Sequence, residues 1–185
     1  MHSLHALRQI LFQILRFNTK VIDAFPASPA VTLASFRVGV YVAPVYLLQS
    51  LFHLLQPGGD QDFVTFAATE VLTYVIGWVL FPVVLLQLAP HLGWGRRVLR
   101  YITVYNWFQV AVALALLPFI VLNGLQIIPL EAAQFLMMIT ATAIMVYSWF
   151  IARHTLKVPG LTATGCVVLD LLLSVFINGV LPSLI

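Results

Sequence analysis

Apolar residues open the chain at helical spacing. Leu4, Leu7, Leu11, Ile14, Leu15 and Ile22 fall on one face, and Arg8, Gln9, Gln13, Arg16 and Lys20 on the other. The spacing predicts an amphipathic helix over residues 4–22. Basic residues opposite a leucine face suit a helix lying in the membrane interface, and a groove on a partner protein is the alternative seat. Pro26 and Pro29 end that pattern and make residues 25–30 a hinge. Beyond the hinge, apolar residues no longer keep to one face but fill whole segments: 31–55, 63–88, 101–125, 132–152 and 161–181. Each is long enough for a helix to cross a hydrocarbon core of about 30 Å. The connectors between them carry turn chemistry, as in Gln56-Pro57-Gly58-Gly59-Asp60 and Lys157-Val158-Pro159-Gly160. No repeat and no long linker divides the chain. The expected fold is all-α: an interfacial helix and hinge over residues 1–30, then one domain of five transmembrane helices over residues 31–185.

Composition agrees with the pattern and narrows the class. Of 185 residues, 62% are apolar and 8% charged, against about 25% charged in a soluble domain. The mean hydropathy is +1.02. A soluble enzyme, a nucleic-acid binder and a disordered chain are excluded. The lipid bilayer is the first partner, with other membrane proteins or further copies of the chain as additional ones. The placement of charge says more than the net +3. Arg8, Arg16 and Lys20 precede the first span, Arg96, Arg97 and Arg100 lie between the second and third, and Arg153 and Lys157 between the fourth and fifth. The other two connectors hold Asp60, Asp62 and Glu131 without lysine or arginine. By the positive-inside rule the amino terminus is expected in the cytoplasm and the carboxyl terminus across the membrane, with a bacterial inner membrane as the expected setting. Cys166 is the lone cysteine, so an intrachain disulfide is excluded, and its apolar surroundings predict a buried, inert thiol.

Candidate chemistry is sparse. Arg37, Glu70 and Asp170 are the charged side chains inside the expected spans. A charge at the bilayer centre costs roughly 3 kcal/mol on insertion scales, so each is expected to face protein or water. Two readings stand: a proton or ion path, or hydrogen-bonded struts between helices. At 1.5 Å per residue, Arg37 lies about 9 Å and Asp170 about 13 Å from the same face. That depth match predicts an Arg37–Asp170 pair, with Asn106 and Ser148 in the same layer supplying further hydrogen bonds. Pro44, Pro82 and Pro118 interrupt three spans, as in packing kinks or broken transporter helices. Trp94, Tyr101, Tyr105, Trp107, Tyr147 and Trp149 form the aromatic belt expected at a membrane face, and the deeper Trp78 is read as packing. The histidines do not converge, Gly93-Trp94-Gly95 is read as a turn, and no catalytic or phosphate-binding motif occurs. No catalytic, cofactor or metal residues are expected.

The stretch from Arg100-Tyr101-Ile102 through Asn106-Trp107, Tyr147-Ser148-Trp149-Phe150 and Leu156 to Val168-Leu169-Asp170 resembles the closing helices of the Yip family. These are Rab-interacting five-span membrane proteins with bacterial relatives. The resemblance implies the five-span layout over residues 31–181. GTPase binding, which rests on a long hydrophilic amino-terminal region in eukaryotic members, is not carried over. The sequence thus points to a non-enzymatic membrane protein that organises or assists other membrane proteins or lipids. The alternative is a small transporter or channel-forming subunit using Arg37, Glu70 and Asp170. An enzyme acting on lipid through Glu70 and Asp170 is a third and weaker possibility, because the two acids enter from opposite faces.

Overall fold

In the computed structural model, residues 19–55 and 62–180 are described. Their regular structure is helical: α1 (Thr19–Asp23), α2 (Pro29–Ser35), α3 (Val38–Leu54), α4 (Phe63–Leu88), α5 (Arg97–Gly124), α6 (Leu130–Leu156) and α7 (Gly160–Val180). Five helices are long and apolar enough to cross a membrane: α2 and α3 taken together as Pro29–Leu54, then α4, α5, α6 and α7. The interfacial helix expected over residues 4–22 lies outside the described residues except for its final turn. That turn belongs to α1, where Ile22 is buried.

Local chemistry sets the ends of these helices. Pro29 stands in the first turn of α2, where its missing N–H costs nothing. Asp62 caps α4, its carboxylate accepting from the Thr65 N–H at 3.2 Å. Helix α6 stops at Lys157, whose backbone is left-handed at φ 56°. Between α4 and α5, Gly93 at φ 65° and Gly95 at φ 54° allow a tight turn that drops Trp94 into the core, where it is 4% exposed. The first span is not continuous. From Phe36 to Val40 its backbone bonds shorten to the three-residue spacing, as in Arg37 N–H to the Ala34 carbonyl and Val40 N–H to the Arg37 carbonyl. This break separates α2 from α3.

Neighbouring helices make a ring in the order α3, α5, α6, α7, α4, which closes only loosely between α4 and α3. The two ends of the ring differ. At the end carrying Arg97, Arg100, Arg153 and Lys157, the side chains of Phe81, Leu85, Trp94, Tyr101, Ile102, Ile151 and Leu156 form one close-packed core. Helix α1 is latched across that end: Arg100 donates to the Phe25 carbonyl at 2.8 Å and pairs with Asp23 at 3.2 Å. The turn from α6 to α7 is tied by Trp149, whose indole N–H donates to the Gly160 carbonyl at 3.0 Å. The opposite end, bearing Asp62 and Glu131, is splayed. Leu33, Val40, Val64, Val71, Leu172 and many other large apolar side chains on the outer faces are exposed, as suits a surface against lipid. Between such helices the cohesion comes from close packing and interhelical hydrogen bonds rather than from burial away from water.

Candidate functional site: an acidic lumen closed at one end

The splayed end encloses a lumen of about 970 Å³, with all five long helical segments contributing to its wall. Its polar lining includes Gln49, Ser50, His53, Thr69, Glu70 and Asn123. Deeper in the ring lies a second chamber of about 210 Å³, bounded by α3, α4, α5 and α7. Tyr46, Thr73 and Asn178 line both spaces, so the two adjoin there. Below the chamber the close-packed core begins, with Phe81 against Tyr105 at a ring-centroid distance of 5.0 Å. The two spaces lie in line as a funnel, wide at the acidic end, narrower inside and ending on the packed core.

Electrostatics give the funnel one sign. Asp62, Glu70 and Asp170 are the charged side chains on its described wall, and no lysine or arginine lines it. Glu70, on the lumen face of α4, accepts a hydrogen bond from the Ser50 hydroxyl of α3. Tyr46 lies beside the same carboxylate. Asp170, on α7, accepts from the Tyr105 hydroxyl at 2.9 Å and 3.0 Å through its two oxygens. Glu70 therefore stands at the wide end and Asp170 in the chamber.

Three buried polar atoms of the chamber wall have no hydrogen-bond partner among the described residues: Thr73 Oγ1, Trp78 Nε1 and Asn106 Oδ1. The orientation of Asn106 is fixed from behind. Ser35 donates its single proton to the Thr32 carbonyl at 2.6 Å, which leaves its oxygen to accept from Asn106 Nδ2 at 2.9 Å. Thr32 Oγ1 in turn lies 2.9 Å from the Leu99 carbonyl and 3.1 Å from the Thr103 hydroxyl. This polar seam fastens α2 to α5 and fixes the Asn106 side chain in the chamber wall.

Of the residues singled out in the sequence, Glu70, Asn106 and Asp170 line the funnel. Arg37 does not. It is exposed at the α2–α3 break, and among the described residues the ion pair is Arg100 with Asp23. The expected Arg37–Asp170 pair is absent because equal depth does not give equal azimuth, and Tyr105 takes the arginine's place. Ser148 is buried on α6 and lines neither space. The aromatic belt also needs correction. Trp94 and Tyr101 are core residues, 4% and 1% exposed, and Tyr105 is the partner of Asp170. Trp78, read as packing, carries one of the unpartnered atoms and packs closely on Gly39, where an added Cβ would sit 3.2 Å from its ring. Thr73 was missed, and Tyr105 was read only as part of the belt. Their signal was available as polar groups one helical turn from Glu70 or beside Asn106, on segments otherwise apolar. No three His, Cys, Asp or Glu side chains gather among the described residues. No family model, curated protein or solved structure matches the chain.

Proposed function

We propose that this protein is a non-enzymatic, multi-pass membrane protein that binds a small polar solute in its lumen, as a transporter does when open to one side. The observation that carries this reading is the funnel: a polar, acidic space inside a ring of apolar helices, open at one end and sealed at the other. A lipid-facing bundle needs no such space for stability. The lumen also gives intramembrane acids the polar surroundings that their cost demands. A role in organising other membrane proteins or lipids, and a Yip-like layout, rest on the absence of catalytic motifs and on the five-span pattern. The lumen is the feature that favours solute handling over them. With the basic connectors cytoplasmic under the positive-inside rule, the mouth opens away from the cytoplasm.

The test is access. Gln49→Cys and Thr69→Cys, each in a Cys166→Ala background and reconstituted in liposomes, are expected to react with a charged, membrane-impermeant thiol reagent added on the acidic side. Reagent on the basic side should leave them unmodified. Failure of both cysteines to react from the acidic side would overturn the reading, because the lumen would then be closed to water.

A further inference from the structure

We propose that the inner chamber is a binding site for a small primary ammonium bearing an oxygen acceptor, held by the Asp170 carboxylate and the Asn106 carbonyl. The assignment rests on the lumen reading, since a solute entering by the lumen would pass between Tyr46, Thr73 and Asn178, which line both spaces.

The chemistry of the wall selects the ligand. Tyr105 occupies one side of the carboxylate, and a carboxylate has about four lone-pair sites, so acceptor capacity remains. Asn106 is 1% exposed and Thr73 6% exposed, yet Asn106 Oδ1 and Thr73 Oγ1 have no partner. Buried polar groups are nearly always satisfied, so two such atoms on one small cavity mark groups that await a ligand or water. Asn106 cannot turn its N–H groups inward without losing Ser35, which has only an oxygen lone pair to offer. The chamber therefore presents one carboxylate with spare acceptor capacity, the Asn106 carbonyl as an acceptor and the Thr73 hydroxyl, which can accept as well as donate. An ammonium, with three N–H donors and one positive charge, complements that set. The Trp78 indole N–H is the opposite case, a donor without an acceptor, and calls for a hydroxyl or carbonyl oxygen on the same ligand. A hard divalent cation fits less well. It asks for about six or more oxygens at tight distances, and the chamber offers a single carboxylate. A volume of about 210 Å³ admits a molecule of ethanolamine's size.

The same 2-aminoethyl chemistry exists as a free amine, which would enter by the mouth, and as a phospholipid headgroup, which would enter through the loosely closed side between α3 and α4. Both are tested with the full chain. In detergent, ethanolamine is expected to raise the melting temperature saturably, whereas ethylene glycol, which lacks the charge, and tetramethylammonium, which lacks N–H donors, should not. Asp170→Asn keeps the size of the side chain and should weaken the ethanolamine response by about tenfold or more, the scale of one charged hydrogen bond. Thr73→Val removes an unpartnered hydroxyl. It should leave the unliganded protein at least as stable while weakening ethanolamine, so it reads the site even if Asp170→Asn fails to fold. In nanodiscs, stabilisation by phosphatidylethanolamine over phosphatidylcholine without any response to free ethanolamine would assign the headgroup. A response to ethanolamine alone would assign the solute. No saturable response to either amine, or equal responses to ethanolamine and ethylene glycol, would overturn the proposal. If Gln49→Cys and Thr69→Cys are nonetheless labelled from the acidic side, the lumen reading stands and only the ammonium assignment falls.

Discussion

At the scale of single residues, Asp170 is defined by what donates to it. The Tyr105 hydroxyl bonds both of its oxygens, and a hydrogen bond to a charged group is worth about 1.5–3 kcal/mol. Tyr105→Phe is therefore expected to lower stability by about that amount in a thermal melt. Arg37→Ala, at an exposed position with no partner among the described ion pairs, should change it by no more than about 0.5 kcal/mol. A large loss on Arg37→Ala with none on Tyr105→Phe would restore the ion pair expected from depth. The contrast shows what the sequence could yield at this scale. Rise per residue gives the height of a side chain in a membrane to within a turn. It says nothing of which way the helix is rotated, and rotation decides whether Asp170 meets an arginine or a tyrosine. Asn106 was legible as a polar side chain needing partners. Its actual partner, Ser35, was not, because a serine in an apolar run has no cost high enough to attract notice.

At the scale of helices, hydropathy marks five segments well, since a run of apolar residues and its turn residues are both local. The expected second span, 63–88, coincides with α4, and the others extend or stop within a few residues. The order of the ring was not legible. It depends on pairwise fit between helices that look alike to hydropathy, and the chain places α4 beside α7 rather than firmly against α3 and α5. Nor was the break between α2 and α3 legible, because Gly39, the one helix-weakening residue in it, does not by itself end an apolar run. One close fit at the mouth is testable. Gly124, near the end of α5, backs directly onto the Phe52 ring of α3, so that an added Cβ would overlap the ring. Gly124→Ala is expected to lower stability by about 1–3 kcal/mol through overpacking. Adding Phe52→Ala should recover part of that loss. Independent, additive losses in the thermal melts of the two single variants and the pair would show that the contact is not tight.

At the scale of the molecule, charge and packing are arranged along one axis: Arg97, Arg100, Arg153 and Lys157 around the sealed end, and Asp62 and Glu131 at the open one. The alternation of charged connectors predicts that a reporter active only outside the cytoplasm is silent when fused at Gly95 and active when fused after Ile185. The reverse pattern would invert the orientation and turn the mouth toward the cytoplasm. The sealed floor has a further consequence, an electrical one. With the lumen filled with water, as proposed above, the vestibule would conduct and would carry the potential of the bulk solution at its mouth down to the depth of Asp170. The transmembrane voltage would then fall almost wholly across the packed layer of Phe81, Trp94, Tyr101 and Ile151 instead of across the full bilayer. A cation settling beside Asp170 would cross little of that field, and its occupancy would be nearly independent of voltage. A charge carried onward through the floor would traverse nearly all of it, at about 2.3 kcal/mol per 100 mV.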